Sequence, residues 1–226
     1  EITCSDAGTV YLIDRSGNKP KLIFKAVQTD SLPNISGELA SVPLSLGSLA
    51  GYVAMTGESL NIPDAYALPH HVPYKFDRQF DLQFNYRTVS VLVLPMQNRD
   101  GETIGVIQLI DRKLNAKLQI TPDNALSITQ PYSDWEQQIV RSLAAQAAIS
   151  IERNHLLESI EELFAGFVTA AVEVIESRDP NTAGHSARVA ELSVRLSQEV
   201  NGVNTGILRS IQFNDRQIQE IRYAAI

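Results

Sequence analysis

Few residues in this chain have types and spacings that could do chemistry, and the most suggestive is a lone histidine. It lies in "RDPNTAGHSARVAELSVRLSQEV", Arg178 to Val200, where His185, Val189, Leu192, Leu196 and Val200 recur at helical spacing. Residues so spaced share one face of a helix, and an apolar face is expected to enter a core, carrying the imidazole with it. A buried imidazole needs hydrogen-bond partners for both ring nitrogens, or a metal ion on one of them. Both readings stay open at this level. His70 and His71 are adjacent, so their side chains diverge, and their Pro-rich setting suits exposed polar residues. His155 falls in a long helical pattern and is expected in solvent. The sequence contains no zinc-ligand spacing, no nucleophile elbow and no phosphate-cradling glycine loop.

A second group of candidates could bind rather than react. Between Asn61 and about Asn85 a loop rich in Pro, His and aromatic residues carries Tyr66, Tyr74, Phe76, Phe80 and Phe84, with Tyr86 just beyond. These rings could stack on a flat ligand, while Asn61, Asp64, Arg87 or Thr88 read its polar edges; equally, the rings could fill a core. The elements that must hold this loop are legible. "TVYLID" and "LIFKAVQ" are β-rich runs joined by the turn residues "RSGNKP", which reads as a hairpin. A short helix is expected from Ser48 to Thr56, ended by Gly57. "RTVSVLVLPMQ" and "ETIGVIQLIDR" flank the turn "NRDG" as two further strands. The first is almost continuously apolar, which implies cover on both faces of a sheet.

From Ser133 to Ser177 the pattern is helical, with no proline and only Gly166. Ile149, Leu156, Ile160, Leu163, Phe167, Ala170 and Val174 follow an alternating 3/4 spacing if Arg153 fills the remaining place, a heptad seam. One continuous helix of that length would be a rod of about 65 Å; the alternative is two helices bending near Asn154. Either way, a helix from a second copy is the economical cover for the seam.

Composition bounds what such elements can do. The 226 residues are 44% hydrophobic and 20% charged, as in an ordinary globular protein of one to two domains. A net charge of −7, with no concentrated basic face, argues against a nucleic-acid partner. Cys4 is the only cysteine, so no intrachain disulfide is possible and a reducing, cytoplasmic setting is expected. No apolar run is long enough for a membrane span in this segment. The chain opens abruptly on "EITCSDAG" and stops at "RYAAI" inside a helical pattern, so a longer parent is expected.

Two resemblances organise these elements. "SDAGTVYLID", "AGYVAMTGESLNIPDAY", "NYRTVSVLVLP", "GETIGVIQLIDR" and "SLAAQAAISIERNHL" occur in the order found in GAF domains, and residues 1–150 resemble that family. The resemblance implies an α+β fold, an antiparallel sheet with flanking helices, whose first helix would lie upstream of Glu1. It implies a ligand between the sheet and a lid formed by the short helix and the Asn61–Asn85 loop. The family's cyclic-nucleotide-binding branch carries an Asn-Lys-Phe-Asp-Glu signature; the corresponding positions here are Asp111, Arg112, Tyr132, Glu136 and Gln137. Only the basic–acidic pair, Arg112 with Glu136, keeps its charge, and it is expected as a structural ion pair. The region from about residue 160 onward, with "ESRDPNTAGHSARVAELSVRLSQEV" and "IQEIRYAAI", resembles the opening of the HD-GYP family of metal-dependent cyclic di-GMP phosphodiesterases. On that resemblance His185 is the first metal-binding histidine, and Asn181 stands where some members have a glutamate for an additional metal. The His-Asp dyad itself would come after Ile226.

The expectation is therefore a GAF sensory domain (1–150) joined by a connecting and dimerising helix (133–177) to a truncated all-α HD-type region (178–226). This chain should be a homodimer without metal or catalysis of its own. Its parent would hydrolyse cyclic di-GMP with Fe or Mn, under control of a small effector in the GAF pocket. The competing expectation is a non-catalytic interaction module that binds no small ligand.

Overall fold

The computed structural model describes residues 2–32, 41–176 and 184–226, which form two compact units, 1–153 and 154–226. Asn181 lies outside the described residues. In the first unit, β1 (Ser5–Asp14) and β2 (Lys21–Thr29) form the expected hairpin, and β3 (Val42–Pro43) pairs with β2. Helix α1 (Leu49–Thr56) is capped by the Ser48 side chain, which accepts from the Gly51 N–H. It ends on Gly57 at φ 71°, whose N–H returns to the Val53 carbonyl at 2.9 Å. The following segment is more ordered than a loop: it contains β4 (Leu60–Ile62) and α2 (Gln79–Phe84). The sequence reading missed both because each is short and takes its hydrogen bonds or packing from distant residues; β4 pairs with β5 (Val91–Gln97) at long range.

β5 and β6 (Thr103–Lys113) complete an antiparallel sheet of order β3-β2-β1-β6-β5-β4. After α3 (Ala125–Ile128), the two-residue β7 (Thr129–Gln130) also pairs with β6. Strand β5 has cover on both faces, as its composition required. Val91 and Val93 pack with α1 residues Leu49 and Val53. Leu92 and Leu94 pack with Tyr132 and Val140, and Met96 packs with Ala144 and Ala148. Val140, Ala144 and Ala148 belong to α4 (Asp134–Glu176), a single continuous helix. Its alanines let the helix lie close to the sheet. The seam residues Ile149 to Val174 are all exposed in the single chain, Leu163 by 74% and Phe167 by 70%.

In the second unit, α5 (His185–Asn201) packs on α6 (Asp215–Ala225). The Asn201 side chain accepts from the Phe213 N–H and donates to its carbonyl, both at 2.7 Å, and Asn214 with Gln217 forms a capping box at the start of α6. The stripe anticipated for α5 is not the one buried. Ala190, Val194 and Ser197 are buried, while His185 is exposed and Leu192 and Leu196 are each 67% exposed. Close approach of two helices favours small contact residues, so the Ala190–Ser197 face is covered and the leucine face is not. No helix among the described residues is long and apolar enough to cross a membrane.

Candidate ligand cavity and buried polar cluster

A cavity of about 330 Å³ opens on the α1 side of the sheet, at the lower end of the range for small-molecule sites. Alternating residues of three strands make its floor: Ala7, Thr9 and Tyr11 of β1, Phe24 and Val27 of β2, and Gln108 and Ile110 of β6. Ser48, Leu49 and Ala50, from the cap and first turn of α1, form one wall, and Lys75, Phe76, Asp77 and Phe80 another. Tyr11 and Phe24 stack with ring centroids 4.6 Å apart. Burial pushes the Tyr11 hydroxyl up to about 12, so it stays protonated.

At one end of the cavity stands Tyr86. Its hydroxyl lies 2.9 Å from Asp6 Oδ2 and 2.8 Å from Asp111 Oδ2, and all three side chains are buried. A phenol has one proton to donate, so two charged carboxylates cannot both be satisfied by it. Asp6 has other partners: Lys113 Nζ at 3.1 Å and Ser31 Oγ at 2.7 Å. Lys113, itself buried, also reaches Asp30 Oδ2 at 2.9 Å. Burial alone would lower the lysine's pKa, but its bonds to Asp30 and Asp6 outweigh that and hold it above the usual value. Among the described residues no cation pairs with the Asp111 carboxylate. Burial raises its pKa to about 7, only partly opposed by N–H donation from Val89 and Ser90 and by Tyr86. The consistent arrangement has Tyr86 donating to Asp6, and a neutral Asp111 donating to Tyr86. Burial, then the two adjacent carboxylates, raises the Tyr86 pKa strongly.

The residues expected to bind a ligand divide. Phe76, Tyr86 and Thr88 line the cavity; Asn61, Asp64, Tyr66 and Arg87 do not. Tyr66 donates to the buried Asp81 at 2.8 Å, and the Arg87 and Arg78 guanidinium carbons lie 3.5 and 4.3 Å from its ring centroid. Arg87 also pairs with Asp64 at 3.4 Å. Thr88 donates from both N–H and hydroxyl to Asp81, which ties the start of β5 to α2. Asn61 donates to the Tyr132 carbonyl at 2.9 Å, and its buried Oδ1 has no partner among the described residues. Arg112 and Glu136 are paired. Burial opposes the Glu136 charge, yet hydrogen bonds from Ser133 and then Arg112 hold its pKa below the ordinary value.

The sequence reading followed the aromatic loop and so missed the strand-borne floor and the Asp6–Tyr86–Asp111–Lys113 cluster. The available signal was charge inside strand patterns, Asp6 in "SDAGTV" and Asp111 in "QLIDRK". His70, His71, His155 and His185 are all exposed, and no group of three His, Cys, Asp or Glu side chains that could hold a metal ion occurs among the described residues.

A family model described as GAF domain matches residues 1–151. The chain is 32% identical over 165 residues to the dual 3′,5′-cyclic-AMP and -GMP phosphodiesterase 11A of Takifugu rubripes, covering 71% of this chain and 18% of that protein. It is 30% identical over 169 residues to the cGMP-specific 3′,5′-cyclic phosphodiesterase of Drosophila virilis, covering 71% and 17%. The chain thus spans less than a fifth of the length of these relatives. Among solved structures, the GAF domain from Acinetobacter phosphoenolpyruvate-protein phosphotransferase superposes with a TM-score of 0.47 at 21% identity, covering 69% of this chain and 75% of that one.

Proposed function

Because this chain belongs to the GAF domain family over residues 1–151, we propose that it is the sensory part of a signalling protein and that its cavity takes a small, flat, largely apolar ligand. The observation that carries this reading is the cavity itself, about 330 Å³ of space over the sheet, bounded by aromatic rings and by the first turn of α1. First-turn N–H groups of a helix lack intrahelical acceptors and suit a polar edge of a ligand. The relatives are cyclic nucleotide phosphodiesterases, but the cavity is poor in cations for a cyclic phosphate. Lys75 is the one basic residue in its lining among the described residues; Arg112 is engaged by Glu136, and Arg78 and Arg87 stack on Tyr66. Cyclic AMP and cyclic GMP should therefore bind with dissociation constants above roughly 100 µM, under about 5.5 kcal/mol. Isothermal calorimetry with both nucleotides tests this. Low-micromolar binding of either, lost in Phe76→Ala, would reverse the proposed ligand class.

In the parent protein, residues 178–226 would open an HD-GYP domain hydrolysing cyclic di-GMP with Fe or Mn, and α4 would pair with a second copy and pass the state of the cavity to it. The described residues do not by themselves fit a metal centre, since His185 is exposed on α5 and has no convergent ligands among them. No catalytic step is assigned to this chain. The exposed seam of α4 supports a second reading, a dimerising module that binds no small ligand. Absence of binding by any flat ring compound, with dimerisation intact, would favour it.

A further inference from the structure

We infer that Gln108 selects the ligand of the cavity, and that the group it selects is an amide edge on a flat ring, an N–H donor beside a C=O acceptor. This rests on the reading of the cavity as a ligand site. β6 is an inner strand, with β1 on one side and β5 on the other. In register, Gln108 lies opposite Thr9 and Val93, and Thr9 lies opposite Val27. Along β6 its same-face neighbours are Val106 and Ile110. Val93 and Val106 are fully buried. A carboxamide in this aliphatic row breaks the local pattern, and such breaks mark function more often than folding.

Most other polar side chains of the lining are already engaged, the Lys75 amine, a point charge rather than an amide, being an exception. The Tyr86 hydroxyl sits between Asp6 and Asp111, Thr88 donates to Asp81, and Ser48 accepts from the Gly51 N–H. The Gln108 carboxamide has no hydrogen-bond partner among the described residues. Its Nε2–H and Oε1 lie side by side and can make two antiparallel hydrogen bonds to a cis-amide edge. A ring without such an edge would shield the carboxamide from water and leave both groups unpaired, an arrangement that costs binding energy. The Tyr11–Phe24 pair offers an aromatic surface for the same ring.

The test uses the full chain and two probes, 2-quinolone and N-methyl-2-quinolone. They share ring and carbonyl; the methyl group removes the donor and adds its own bulk at that nitrogen, so the comparison with Gln108→Leu separates the lost bond from crowding. Titrations followed by NMR should show 2-quinolone binding about tenfold or more tighter. Gln108→Leu should erase that preference while still binding the methylated probe. Gln108→Asn, one methylene shorter, should lose most of the preference with an unchanged thermal melt, which separates reach from folding. Equal binding of both probes to the wild type, or a preference that survives Gln108→Leu, overturns the inference and leaves the cavity reading standing. Binding of neither probe overturns both.

Discussion

Asp111 occupies a left-handed backbone position, φ 55°, and holds a buried carboxyl group whose neighbours are Tyr86, Asp6 and two backbone N–H groups, with Lys113 and Asp30 behind Asp6. Its folded pKa of about 7 lies above the ordinary 3.8. The folded state therefore binds more protons than the unfolded chain between those values, and stability falls as pH rises through that window. Glu136 has the opposite sign: its pKa is lowered, so its contribution is lost as pH falls. Asp111→Asn imitates the neutral carboxyl. Its carbonyl can accept from Val89 and Ser90, its amide can donate to Tyr86, and asparagine tolerates positive φ. Urea denaturation from pH 4.5 to 8 should find the variant close to wild type in acid and more stable at pH 8, by up to a few kcal/mol. Greater destabilisation at pH 8 than at pH 5 would refute the proton assignment.

Elements meet closely where side chains are absent. At Gly105 on β6 an added Cβ would stand 2.3 Å from Met96 Cε, 2.4 Å from the Tyr11 carbonyl oxygen and 2.9 Å from Leu12 Cδ2. The backbone oxygen cannot yield cheaply, so Gly105→Ala should cost about 1–3 kcal/mol and lower the melting temperature of the first unit. Gly166, in α4, has nothing within 4 Å of such a Cβ. There the same change should stabilise by about 0.4–1 kcal/mol, because alanine restricts only the unfolded chain. Calorimetric melts of the two variants should shift in opposite directions. A rise for Gly105→Ala would mean that β1, β5 and β6 are less tightly joined than described.

At the scale of the whole molecule, α4 presents apolar side chains that one chain leaves in water. Leu156, Ile160, Leu163, Phe167 and Val174 are exposed by 59–74%. Full burial of each such side chain contributes about 1.5–3 kcal/mol, and a parallel or antiparallel copy of the same helix offers the matching surface. Sedimentation equilibrium should find a dimer at micromolar concentration. Leu163→Glu with Phe167→Glu, which would bury unpaired carboxylates in the seam, should give a folded monomer. A wild type that stays monomeric at high micromolar concentration would rule the seam out as an interface.

The sequence alone determined the hairpin, the capped helix α1 and the doubly covered β5, because each depends on periodicity and on local cap or turn chemistry; it left open whether α4 is one helix or two, and the structure shows one. "VLVLPM" could be nothing but a strand with apolar cover on both sides, and Ser48 and Gly57 mark the ends of α1 by side-chain and backbone chemistry that neighbours do not alter. Of the residues that the sequence offered as ligand contacts, Phe76, Tyr86 and Thr88 lie in the cavity lining. The tertiary structure decided what depends on distant pairing. Asp6 is far in the chain from Asp111 and Lys113, which share β6, and meets them because β1 pairs with β6 in one register. Gln108 faces a cavity for the same reason, since a one-residue slip would turn it to the α4 side. The covered face of α5 likewise followed its partner helix. Of its own most apolar stripe, His185, Leu192 and Leu196 were left in solvent and Val189 and Val200 half-buried, because the small residues of the neighbouring face allow the closer approach.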